Sequence, residues 1–204
     1  MSVINVLYSA IILFSAAEMA WAKKGDRTLS AGYAMSNFNK TSDAFAVTGL
    51  KERKMHGINL KHYYETGDNF GLIFSVVYAK NTASRRDESG KQYKFDNNYF
   101  AVSAGPAWRA TDWLSLYTTV GASTLQSHAS YYSSSLVTRV RTKKPRFRTG
   151  GKTLSRFSSD YGLVAGTGLQ LRLADKMVLD LSVERSWLRQ NSITTWIAGV
   201  GYTF

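Results

Sequence analysis

The chain has 204 residues, 44% hydrophobic and 13% aromatic, with 16 Gly, 2 Pro and no Cys. This composition suits one strand-rich domain and excludes a disulfide scaffold. The formal charge of +12 favours acidic partners, and no apolar run beyond the N-terminus reaches the roughly 18 residues of a membrane-spanning helix.

Val3 to Ala17 is an apolar segment, followed by Ala20-Trp21-Ala22 and the polar Lys23-Lys24-Gly25-Asp26. Small residues flanking one position, ahead of a polar stretch, mark the cleavage site of a secretory leader. Residues 1–22 are therefore expected to be a cleaved signal peptide and residues 23–204 the mature domain. No Lys or Arg precedes the apolar core, so only the terminal amine supplies the leader's positive end.

Eight stretches then place apolar side chains at every second position, the period of a strand with two different faces. The first, residues 28–37, turns Leu29, Ala31, Tyr33 and Met35 outward; the second, 55–65, turns Ile58, Leu60, His62 and Tyr64 outward against Asn59, Lys61, Tyr63 and Glu65. Residues 70–79, 99–108, 114–124, 160–171 and 177–187 repeat the pattern. The chain ends on TWIAGVGYTF, with Trp196, Ala198, Val200, Tyr202 and Phe204 on one face. Strands of about ten residues match a tilted bilayer crossing. The connections at 66–69, 110–112 and 172–176 are short, that at 188–194 is intermediate, and those at 38–54, 80–97 and 125–159 are long, as in barrels with periplasmic turns and extracellular loops.

A soluble sandwich also alternates. Against it, outward aromatics gather at strand ends (Tyr64, Tyr78, Trp108, Tyr161, Trp187, Trp196), as interfacial girdles require. The inward faces carry Lys61, Glu65, Asp180, Glu184 and several glycines rather than a greasy core. The expected fold is all-β: an eight-stranded antiparallel up-and-down transmembrane β-barrel with long extracellular loops. Isolated charges are costly to bury, so Lys61, Glu65, Asp180 and Glu184 are expected to form an interior charge network, with Lys61 paired to Glu184.

The stretches GINLKHYYE (57–65), SAGPAWRATDW (103–113), DYGLVAGTGLQL (160–171), LDLSVERSWLR (179–189) and TTWIAGVGYTF (194–204) resemble the Ail/Lom family of small outer-membrane proteins. The resemblance spans nearly all of the mature chain and fails in the long loops. It departs in the penultimate strand, where Arg185 and Trp187 replace a milder polar pattern. It implies a barrel with a filled interior, inserted by the outer-membrane assembly machinery through the C-terminal aromatic strand, with Tyr202 and Phe204 as the assembly signal. It further implies roles in adhesion, cell entry and resistance to complement.

Eight strands leave room only for side chains inside, so activity is expected in the extracellular loops. From Trp113 to Ser159 there is no acidic residue, while Arg139, Arg141, Lys143, Lys144, Arg146, Arg148, Lys152 and Arg156 crowd its second half around Phe147. Such a run attracts polyanions. The expected partners are sulfated glycosaminoglycans, host matrix proteins or complement regulators, and lipopolysaccharide within the outer membrane. A structural barrel that stabilises the lipopolysaccharide leaflet without a host ligand is the alternative. Nucleic acid fits the charge but not the location.

An enzyme that modifies lipid A or cleaves proteins would need a nucleophile, a His and a carboxylate together. His62 points to lipid in mid-strand, His56 has no acid partner nearby in sequence, His128 sits among serines in a loop without any acid, and no G-x-S-x-G or H-E-x-x-H occurs. The protein is therefore expected to be a non-enzymatic monomer without metal or cofactor.

Overall fold

The computed structural model describes residues 25–38, 54–67, 69–86, 92–133, 152–189 and 191–204; the expected leader lies outside them. Eight strands follow in chain order: β1 (Arg27–Phe38), β2 (Lys54–Glu65), β3 (Phe70–Arg86), β4 (Gln92–Arg109), β5 (Leu114–Ser133), β6 (Lys152–Arg172), β7 (Met177–Leu188) and β8 (Ser192–Thr203). Each pairs antiparallel with the next, and β1 pairs with β8 from Thr28↔Thr203 to Phe38↔Ile193, closing the barrel.

Side-chain parity follows the sequence alternation. Val120 and Leu163 are 64% and 67% exposed on the outer wall, a level of apolar exposure that a hydrocarbon surround tolerates and water does not. Tight turns join β2–β3, β4–β5 and β6–β7, each closed by a backbone bond such as Thr66 N to Phe70 O at 2.9 Å or Leu173 N to Met177 O at 2.9 Å. Both ends of the described barrel lie at this rim, where Phe204 N donates to Arg27 O at 2.9 Å. Exposed Phe70, Trp108, Trp113, Tyr202 and Phe204 ring it, as aromatic residues do at a membrane interface.

The strands differ from expectation at the opposite end. β3 to β6 have 17, 18, 20 and 21 residues against 12 in each of the others. Parts of the segments expected to be loops at 80–97 and 125–159 are therefore strand, and β5 exceeds the 12-residue strands by roughly 27 Å at about 3.4 Å per residue. The apolar alternation stops at the headgroup level because lipid no longer demands it. The ladder continues through Ser, Thr and aromatic residues, which suit a pleated surface in water. Beyond Lys80 in β3 and before Gly162 in β6 the strands pair on one side only, so four strands project as an open sheet.

The interior also differs from expectation. Its outer half is apolar: Met55, Val77, Tyr99, Val164, Ile193 and Ile197 belong to one buried cluster. A smaller cluster of Tyr63, Ile73, Ala107 and Tyr117 lies toward the turns. Ions and glycines occupy the space between and below. Tyr63, which alternation groups with the inward Asn59, Lys61 and Glu65, is buried as core, and so is Tyr99.

Glycines on β6 make room for side chains that cross the lumen. A Cβ on Gly168 would sit 2.5 Å from Tyr117 Cζ and 2.6 Å from Ser182 Cβ, and one on Gly166 would sit 2.7 Å from Glu184 Cγ. Gly168→Val should therefore cost about 1–3 kcal/mol by overpacking, measured by urea unfolding in bilayers. Gly67→Ala, where nothing lies within 4 Å, should stay within about 0.5 kcal/mol of the parent.

Candidate functional site

Strand pairing brings five inward residues of β2, β5, β6 and β7 to one point in the lumen. Lys61 Nζ donates to Asp180 Oδ1, to Tyr117 Oη at 2.6 Å and to Ser182 Oγ at 2.6 Å. Tyr117 Oη donates to the same carboxylate at 3.0 Å, and Gln170 Nε2 donates to its Oδ2 at 3.0 Å. Lys61 and Asp180 are both about fully buried. This arrangement corrects the expected pairing of Lys61 with Glu184. An ammonium has three donors, and Asp180, Tyr117 and Ser182 take all of them.

Glu184 lies four residues along the same inward face of β7 and reaches the wall beside Lys61. Its Oε1 accepts from Ser75 Oγ at 3.0 Å, and Ser75 Oγ accepts from Asn59 Nδ2 at 2.9 Å. Glu65 does not join this group. It stands at the turn-side rim, where Arg109 Nη1 meets its Oε1 at 3.0 Å while Arg109 Nη2 and Arg172 Nη2 meet Asp26 Oδ2 at 3.3 and 3.0 Å. Asp26, Arg109 and Arg172 were not among the expected residues. Arg109 and Arg172 end β4 and β6 beside short turns and Asp26 immediately precedes β1, sequence positions that carry no parity signal. Together they span the mouth over a shallow hollow that Tyr63, Trp113 and Gln170 also line.

Arg139, Arg141, Lys143, Lys144, Arg146, Phe147 and Arg148 lie outside the described residues, in the connection between the outer ends of β5 and β6. Lys152 and Arg156, expected in that loop, are strand residues of β6, in register with Ser133 and Ala129. His128, expected in a loop without an acid, is in β5 opposite Asp96 of β4. A bond of 2.7 Å from Thr82 Oγ1, ahead of Lys94, holds the Asp96 carboxyl below the usual carboxylate range. Arg185 faces outward over the Trp187 ring, 6.0 Å from its centroid. Among the described residues no group of three His, Asp or Glu could hold a metal.

Two predictions follow from the lumen and the mouth. Lys61→Met strands a buried carboxylate and should cost about 3–5 kcal/mol in urea unfolding, much of it recovered when Asp180→Asn is added. At the mouth, the hydrogen bond from Arg172, and after it the charge of Arg172 and the bond from Arg109, hold the Asp26 carboxyl below its ordinary value. A carboxyl depressed in the folded state adds stability above its unfolded value and loses it as the pH falls through the folded one. The urea midpoint should therefore fall on acidification below about pH 4, and by less in Asp26→Asn.

The family model for the enterobacterial Ail/Lom protein matches residues 1–204. Outer membrane protein X of Escherichia coli is 34% identical over 197 residues, covering 96% of this chain and 94% of its own. The attachment invasion locus protein of Yersinia pseudotuberculosis is 29% identical over 196 residues, with coverage of 96% and 94%. The crystal structure of Ail, the attachment invasion locus protein of Yersinia pestis, in complex with the heparin analogue sucrose octasulfate has a TM-score of 0.65 at 28% identity and covers 89% of this chain and 100% of that one. The chain belongs to the Ail/Lom family and is an eight-stranded β-barrel of the outer membrane.

Proposed function

We propose that the protein is a surface adhesin that binds sulfated glycosaminoglycans and other acidic host-surface molecules through the basic segment from Arg139 to Arg156. One observation carries this reading: the segment connects β5 and β6, the two longest strands, which lift it beyond the headgroups. Its eight cations with no acid between Trp113 and Ser159 give a one-signed field, effective over about 8 Å at physiological salt. The similar Yersinia pestis protein has been crystallised with a heparin analogue, which supports sulfated sugars as the ligand class. Cell entry and complement resistance, through matrix proteins or complement regulators, would use the same surface.

Cells displaying the protein should adhere to immobilised heparin, lose that adhesion as salt rises, and lose at least about tenfold of it when the eight cations become Gln. Unchanged adhesion would remove the basic segment from the mechanism.

Arg185 over Trp187, outward on β7, favours a second role on the lipid-facing wall, in which the rim pairs with lipopolysaccharide phosphates and stabilises the leaflet. Arg185→Gln should lower the unfolding temperature in lipopolysaccharide bilayers and leave it unchanged in phosphatidylcholine. Equal effects in both lipids would refute this role.

A further inference from the structure

Three ionisable side chains meet in the middle of the lumen: Lys61, Asp180 and Glu184. Lys61 spends its three donors on Asp180, Tyr117 and Ser182, so Asp180 is neutralised and Glu184 is not. Glu184 is 3% exposed, with the apolar cluster of Tyr99, Val77 and Ile197 toward the outside. An ionised carboxylate without a counter-charge is far more costly there than a neutral acid with hydrogen bonds.

Hydrogen-bond accounting leads to the same place. Glu184 Oε1 has the Ser75 hydroxyl, but Glu184 Oε2 and the Ser103 hydroxyl, on the strand next to Ser75, both lack a partner. The groups facing Glu184 are Lys61 from β2, Ser75 from β3, Ser103 and Tyr99 from β4, Thr119 and Tyr117 from β5, and Asp180 from its own strand. Gly166 of β6 and Thr195 of β8 are its register partners. Lys61 is the one cation in that set.

We propose that Glu184 is a neutral carboxylic acid in the folded barrel, its proton on Oε2 while Oε1 accepts from Ser75. That proton removes the one charge in the chamber that has no counter-charge. Alkali strong enough to remove it leaves an unpaired charge inside the wall, so the barrel carries a built-in limit to its alkaline stability.

The test uses the full mature chain refolded into bilayers with 13C-labelled glutamate carboxyls. At pH 7 one carboxyl signal should have the shift of the neutral acid and be missing in Glu184→Gln. That variant should keep the neutral-pH urea midpoint and lose less of it than wild type on moving to alkaline pH. A wild-type spectrum with every glutamate ionised at pH 7 would overturn the proposal, whether or not the variant folds. So would a Glu184→Gln barrel that is strongly destabilised at neutral pH, since that is the behaviour of a broken ion pair.

Discussion

Hydrocarbon offers no partner for a backbone N–H or C=O, and that constraint organises everything else in this chain. It is met by the ladder between β1 and β8, which leaves neither strand with a free edge at membrane depth. Closure then fixes the parity of every side chain, because a slip of one residue in any pair would turn Lys61 and Asp180 into lipid and Leu60 and Leu181 into the lumen. The interior follows from the narrowness of an eight-stranded ring, whose wall-to-wall distance is short enough for single side chains to cross it.

Those crossing side chains divide the lumen into layers. The apolar cluster fills the outer half, Lys61 and Asp180 tie β2 to β7 in the middle, and Arg109 and Arg172 hold Asp26 and Glu65 at the turn-side mouth. Glycines on β6 are the complement of the large residues opposite. Beside Tyr117 and Glu184 the paired residues of β6 are Gly168 and Gly166, which carry no side chain. Large and small residues thus sit side by side on neighbouring strands, which is how a narrow interior is packed without voids.

Much of this was legible in the sequence. Alternation alone located the eight crossings and the facing of Leu29, Phe74, Val120 and Trp196, because lipid imposes a period of two on every strand. It failed where lipid stops acting. The outer halves of β5 and β6, built from Ser127, Tyr131, Thr153 and Ser155, look like loop because water tolerates either face. Pairing across the lumen was also hidden. Lys61 and Asp180 are 119 positions apart, and nothing local says which of two carboxylates on β7 stands opposite a given lysine. The rim cluster was missed for a related reason, since Asp26 looked like the polar flank of a leader.

The buried apolar cluster in the outer half of the lumen has a consequence for the whole cell envelope. Among the described residues, Met55, Tyr99, Leu188 and Ile193 fill the outer half of the lumen with apolar side chains, which disfavours a water column through it. A bacterium can therefore crowd its surface with many copies of this barrel and keep its permeability to small solutes where it was. Abundance at the surface is uncoupled from leakiness, which a wider, water-filled barrel could not offer.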